Sequence, residues 1–411
     1  MLGPPFLWIF YYIIFIVILS ETQGKVTMRI EVIDLGEKMK YVTGVHADLK
    51  NKNIVLLYFC YFGDMVSITP FLEVLRRAAV DSKIYLVVDS RFKEAVQYNP
   101  NIDEIIPVDR KNMGLVKTWK VGAKLRKLNP DILMMLHGTT RTTIMGMAMN
   151  PKIWAGEPGT RIDACFMDWP LLIERKEYHV TDKFIHVLTD IGVTDTKHEG
   201  MQIYTCDAWE AKAKDFFISK GIKKGDKLAG FSVGSSTPEK NWPAEKYGEV
   251  ADHFADLGYC PVFFGVPSEM PLVEKALAHM KRRDEAIVAA GKLSMGEFIA
   301  AASWCSVAFT NDSGPMYVFD SRKVPVIAMF GPSNAKLYHP LGEKSCALAT
   351  TDMPRTQDHV NHTIRDRSYT PIDAISVSEA IRAGEWALGL KDDERYEGHL
   401  ALIHKNEQGG G

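Results

Sequence analysis

Several familiar signatures are missing from this chain, and each absence narrows its function. Among 411 residues there are only six cysteines, Cys60, Cys165, Cys206, Cys260, Cys305 and Cys346, with no C-x-x-C pair and no Cys/His cluster at zinc spacing. Such scattered thiols argue against a disulfide framework or a structural metal and predict reduced, mostly buried cysteines in a cytoplasmic setting. No G-x-G-x-x-G follows the first strand of either half, which weakens a nicotinamide or flavin dehydrogenase. No G-x-x-x-x-G-K-[ST], G-x-S-x-G or H-E-x-x-H occurs, which argues against P-loop enzymes, serine hydrolases of the elbow type and zinc proteases. Charge of one sign is absent too: 49 basic residues face 51 acidic ones, so the net charge of −2 excludes a histone-like or arginine-rich nucleic-acid binder. No repeat period or low-complexity tract is present.

What is present is an ordinary globular composition, 46 % apolar and 24 % charged, in a chain long enough for two domains. The longest apolar run, Phe6 to Leu19, spans fourteen residues and is short for a membrane-spanning helix. Two readings of this segment stay open. As an anchor, it is followed by Lys25, Arg29, Lys38 and Lys40, which would leave the body of the protein in the cytoplasm. Alternatively, translation begins at Met28 and residues 28–50 form a short lead-in.

From Ile54 onward, apolar runs alternate with helical patterns. Ile54–Tyr61 reads as a strand buried on both faces, and Lys83–Val88, Glu104–Val108, Asp131–His137 and Lys152–Gly156 read as further strands. Between the first two, Phe71, Leu72, Val74, Leu75 and Ala78 fall on one helix face. Residues 157–208 are less regular and read as the end of the first domain plus a linker. A second alternation then runs from Lys227–Val233 to Val324–Phe330, and a last helix spans Val377–Leu388. The expected fold is α/β, with two Rossmann-like doubly wound domains facing a cleft. The expected divisions are 1–27 as an apolar segment, 28–205 and 206–390 as the two Rossmann-like domains and 391–411 as a tail.

Ligands of such sheets bind beyond the carboxyl ends of the strands, so the loops there are the candidates for chemistry. Gly63-Asp64 opens the first helix; the carboxylate reads as a general base or as a helix N-cap. Ser235-Ser236-Thr237 with Lys240 makes a diphosphate cradle or a solvated turn. Asn311 to Pro315 opens a helix whose free N–H groups suit an anion. Glu269, after Gly265, reads as a ribose ligand or as a first-turn carboxylate complementing the helix dipole. His137 and His339 lie at strand or loop ends within reach of the cleft, although a lone His is more often structural.

These residues, taken in order, resemble a known family. The stretches 63–77 (GDMVSITPFLEVLRR) and 98–106 (YNPNIDEII) resemble the amino-terminal half of ADP-heptose:lipopolysaccharide heptosyltransferases. Five further stretches, 235–247, 264–269, 290–302, 311–317 and 324–333, follow in the order of the family's second half, so the likeness covers roughly residues 54–390. The resemblance implies an inverting, metal-independent glycosyltransferase of the GT-B type with no cofactor. It implies Asp64 as base, Ser235, Ser236 and Lys240 on the diphosphate, Glu269 on the ribose, and Asp312, Ser313 and Gly314 on the donor sugar and phosphate. Tyr317 stands in the donor loop where the family usually has His, which bears on donor identity. Tyr58-Phe59-Cys60-Tyr61 lacks a basic residue often found there, which bears on the acceptor; Arg141 is a candidate contact for an acidic one, or a solvated helix-start residue. The implied partners are ADP-heptose and a lipid-linked glycan at the inner membrane, with no nucleic acid. Another nucleotide sugar, or a sugar-nucleotide-binding protein without activity, are the alternatives.

Overall fold

Each strand expected in the two alternations forms in the computed structural model, which describes residues 14–22, 25–33, 41, 44–111, 113–173, 178–350 and 371–402. An antiparallel hairpin comes first, β1 (Ile14–Thr22) with β2 (Lys25–Ile33). Part of the long apolar run is therefore strand, and β2 occupies the start of the expected lead-in; residues 1–13 lie outside the described residues.

The first domain then runs β3 (Asn53–Tyr58), α1 (Phe62–Ser67), α2 (Thr69–Ala78), β4 (Lys83–Asp89), β5 (Glu104–Val108), α3 (Leu115–Leu125), β6 (Ile132–Met135), α4 (Thr140–Met149), β7 (Ile153–Gly156), α5 (Arg161–Ala164) and β8 (Trp169–Pro170). The strands form one parallel sheet in the order β5-β4-β3-β6-β7-β8. Ile54, Val55, Leu56 and Leu57 are all inaccessible to solvent, because helices cover both faces of the sheet. Phe71, Leu72, Val74 and Leu75 bury the predicted face of α2.

The segment read as a linker is more ordered than expected. Within it α6 (Asp182–Asp190) packs back on the first domain, with Phe184 edge-on to Tyr58 and to Phe71. The next helix, α7 (Asp207–Ser219), is absent from the sequence reading: only Ala213 and Phe217 of its thirteen residues are fully buried, so its apolar stripe is thin.

The second domain continues with β9 (Leu228–Ser232), α8 (Ala244–Asp256), β10 (Cys260–Phe264), α9 (Met270–Ala278), β11 (Ile287–Val288), α10 (Met295–Ala302), β12 (Val307–Asn311), α11 (Gly314–Ser321), β13 (Val326–Phe330), α12 (Ala335–Tyr338), β14 (Cys346–Ala349), α13 (Val377–Ala387) and β15 (Leu400–Leu402). Its sheet is parallel in the order β11-β10-β9-β12-β13-β14-β15. The described part of the expected tail thus joins the fold: β15 pairs with β14 and Tyr396 is fully buried. Residues 403–411 lie outside the described residues.

Both sheets reverse direction of build at one point, between β3 and β6 in the first and between β9 and β12 in the second. Three of the four candidate loops follow β3, β9 and β12, and therefore flank these switch points, where doubly wound sheets open a crevice. All six cysteines are free thiols, but only Cys305 and Cys346 are buried, fewer than expected. No helix among the described residues is long and apolar enough to cross a membrane.

Candidate active site

In the second domain the loop after β9 and the loop after β12 are tied together by one buried side chain. Asn311, at the end of β12, accepts from the Trp242 backbone N–H at 2.8 Å and from the Tyr247 hydroxyl at 2.9 Å, and donates to the Val233 carbonyl at 3.0 Å. An Asn here supplies both donor and acceptor, which is why one residue can hold three partners. Asn311→Ala orphans buried groups on the β9–α8 loop and on α8 and should lower unfolding stability by roughly 2–3 kcal/mol. A denaturant midpoint equal to that of the parent would remove Asn311 from this role.

The neighbouring residues are held by the same framework. Lys240 Nζ lies 2.6 Å from Asp312 Oδ2, with the lysine side chain 24 % and the aspartate 8 % exposed. Ser235 Oγ donates to the Thr237 carbonyl and shares a hydrogen bond with Asn241 Oδ1, each at 2.7 Å, so its hydroxyl shapes the loop, while Ser236 is exposed. Ser313 caps α11 with extended backbone, and Pro315 fills the first helical turn, so the amides there face away from any intrahelical partner.

One strand over, Glu269 accepts from the Val266 N–H at 2.9 Å in a 3₁₀ turn. Its carboxylate lies against two glycines. A Cβ on Gly234 would sit 2.3 Å from Oε1, and one on Gly265 2.7 Å from Oε2. Only glycine at both places leaves room for the carboxylate between the β9 and β10 loops. Burial raises the Glu269 carboxyl pKa, partly offset by the Val266 amide.

The first domain supplies Asp64 at the third position of α1, where Oδ2 accepts from the Tyr61 N–H at 3.2 Å. It is therefore a back-bonding first-turn residue and not the N-cap itself. Across the cleft α11 places Tyr317 directly on this turn: a Cβ on Gly63 would lie 2.7 Å from Tyr317 Cδ2 and 2.8 Å from Cε2. Burial, then the charges of Asp312 and Asp64, push the Tyr317 phenol well above its ordinary pKa, so it remains a neutral hydroxyl between the two carboxylates. Gly314 faces Phe62 along the same contact. Contact of this kind fixes the distance between Asp64 and the loop that joins β12 to α11. Gly63→Ala is expected to cost roughly tenfold or more in turnover by prising the domains apart. Adding Tyr317→Ala should relieve the clash and recover part of that loss, whereas strictly additive effects in the double variant would contradict the contact's role.

Beside Asp64 is a cavity of about 210 Å³ lined by Cys60, Tyr61, Arg91, Phe92, Arg110, Lys111 and Arg141. Arg141 is exposed at the start of α4 and joins three cations that sequence reasoning passed over. Arg91 is held by Asp89 at 2.6 Å and stacks over Phe92 at 5.0 Å, and Arg110 donates to the Phe59 carbonyl at 2.5 Å. Four basic groups with aromatic walls suit an anionic ligand. The signal was available in part: Arg91 and Arg110-Lys111 follow the carboxyl ends of β4 and β5, the same rule that singled out Asp64. His339 packs between His179 and His399 at ring separations of 4.7 and 5.9 Å, at the end of α12.

Two doubly wound domains, each opening its switch-point crevice toward the other, with Asp64 on one side and the loops after β9 and β12 on the other, define a fold of the GT-B type. Residues 118–366 match the sequence profile of "Glycosyltransferase family 9 (heptosyltransferase)", and the chain belongs to that family. It is similar to a glycosyl transferase family 9 crystal structure from Veillonella parvula DSM 2008, at 36 % identity and TM-score 0.79, covering 84 % of this chain and all of that one. Among curated proteins it is similar to lipopolysaccharide heptosyltransferase 2 of Escherichia coli K12, 24 % identical over 312 residues, covering 69 % of this chain and 84 % of that one. The structure of E. coli ADP-heptose lps heptosyltransferase II shares the fold at TM-score 0.67 and 18 % identity, over 82 % of this chain and 99 % of that one.

Proposed function

We propose that this glycosyltransferase moves a heptose, or a closely related sugar, from ADP-heptose to an anionic, lipid-linked glycan of the lipopolysaccharide core type, with inversion at the anomeric carbon. The observation that carries the reading is the opposition of Asp64 to the Lys240–Asp312 pair across the Gly63–Tyr317 contact. The names of the relatives above supply the heptose and the ADP.

In this mechanism Asp64 takes the proton of the acceptor hydroxyl as its oxygen attacks the anomeric carbon. The nucleoside diphosphate leaves from the opposite face. Its growing charge is met by Lys240, by Ser236 and by the N-terminal amides of α11, so no metal is needed. Ser235 shapes the diphosphate loop, Glu269 in its glycine cradle takes the ribose hydroxyls, and Asp312, Ser313, Gly314 and the Tyr317 hydroxyl face the donor sugar. Arg141, with Arg91, Arg110 and Lys111, receives the acceptor's negative groups. The protein then works from the cytoplasmic side, peripheral to the inner membrane.

A donor screen tests this. Isothermal calorimetry with ADP, GDP, UDP and dTDP, and with ADP-heptose, should show selective binding of ADP and its sugar conjugate. Preference for another nucleotide would overturn the ADP-heptose assignment, and no binding of any would overturn donor binding altogether.

A further inference from the structure

We infer that the exposed face of α3 is the surface by which this protein docks on an anionic lipid bilayer. Between Arg110 and Leu128 the chain carries seven basic residues, Arg110, Lys111, Lys117, Lys120, Lys124, Arg126 and Lys127, and no acidic one. For a protein whose total charge is near neutral, this is a marked local imbalance.

The face is also apolar where solvent would favour polar groups. The helix buries Thr118, Gly122 and Leu125 against α4, where Gly122 fits because a Cβ there would lie 2.5 Å from the Met145 carbonyl. That packing turns the opposite side outward. Leu115 is 58 %, Val116 72 % and Trp119 39 % exposed, and Lys120, Lys124 and Lys127 are exposed alongside them. At 100° per residue, Trp119, Val116, Lys120 and Lys124 follow one another around this side, and Lys127 stands in the 3₁₀ turn Arg126–Leu128 that continues α3, so an apolar strip adjoins a cationic one. Apolar and aromatic side chains beside lysines are the makings of a helix that lies in the headgroup layer. A nucleic-acid groove would match the lysines and leave Leu115 and Val116 without a partner. Anionic lipid satisfies both strips.

The position fits as well. Helix α3 starts four residues after Lys111, which lines the basic cavity beside Asp64. Its apolar first turns therefore sit at the carboxyl edge of the first sheet, next to the opening where the acceptor enters. A glycan with its sugar in that cavity would have its lipid end directed to the plane of α3. The inference deepens the lipid-linked acceptor reading and rests on it for its purpose, though the binding it predicts is measurable without turnover.

The test is sedimentation of the full chain with phosphatidylcholine vesicles, with and without phosphatidylglycerol, at several salt concentrations. The parent chain should bind the anionic vesicles and bind them less as salt rises. Lys120→Gln/Lys124→Gln/Lys127→Gln should weaken the partition by roughly a hundredfold, the effect of three charges near an anionic surface. Val116→Ser/Trp119→Ser should weaken it by about tenfold at every salt concentration, since the lost contribution is apolar. ADP affinity measured on the same variants should be unchanged. Parent-strength binding by the lysine variant, or no vesicle binding by the parent chain, would overturn the docking surface. Loss of ADP binding in the parent chain would instead overturn the donor assignment and leave the vesicle result to stand by itself.

Discussion

Asp64→Asn is expected to lower turnover by at least about a hundredfold while leaving ADP affinity intact. This substitution separates two roles cleanly. Asp64 accepts a hydrogen bond from the Tyr61 N–H in the first turn of α1, and an Asn oxygen can accept that bond as well. The fold around α1 therefore survives, and the Gly63–Tyr317 contact with it. What Asn cannot do at neutral pH is accept a proton from the acceptor hydroxyl. Single-turnover measurements with saturating donor should show the loss in the chemical step and not in KM for the donor. A variant as active as the parent would reduce Asp64 to a first-turn hydrogen-bond acceptor.

Lys240→Met should be nearly as severe, lowering turnover by roughly 10²–10³-fold, the usual effect of removing one preorganised donor from a developing anion. In the resting site Lys240 is held by Asp312 at 2.6 Å, in a spot where the aspartate is almost wholly buried. The ammonium is thus positioned before donor arrives, and the diphosphate then competes for it. Loss of the lysine also strands the Asp312 carboxylate, so the single variant mixes a structural effect with a chemical one. The double variant Lys240→Met/Asp312→Asn, compared with Asp312→Asn alone, resolves them, because it removes the stranded charge and the reference variant carries the loss of the Asp312 carboxylate. Turnover that stays low in the double variant, even as thermal stability recovers, is the expected result. Restored turnover would confine Lys240 to the support of Asp312.

The sheets were legible because parallel strands covered by helices on both faces must be apolar throughout, as Ile54–Leu57 and Val326–Phe330 are. The loops carrying Asp64, Lys240, Asp312 and Glu269 were legible for a related reason: each follows such a strand and opens a helix or 3₁₀ turn. The rest was hidden by sequence distance. Lys240 and Asp312 are 72 residues apart, and nothing local marks them as a pair. The basic cavity draws on four connections, three of them with a cation that alone reads as solvated, and only the order β5-β4-β3-β6 makes them neighbours. Asn311 looked like one more turn residue, since its three partners lie on two other segments. Helix α7 escaped because its buried stripe is thin, and β14 and β15 because four and three residues carry little periodicity. Tyr317 was visible as a departure from the family's pattern, but its seat on Gly63 depends on how the two domains meet.

The most direct test is transfer itself. The full chain is incubated with ADP-heptose and a lipid-linked core-glycan acceptor, the product is weighed by mass spectrometry, and its new linkage is assigned by NMR. The expected product carries one added heptosyl residue, with anomeric configuration opposite to the donor's, and one ADP is released for each residue transferred. Intact donor and unmodified acceptor after incubation would contradict heptosyl transfer, and a retained configuration would contradict direct attack by an acceptor deprotonated at Asp64.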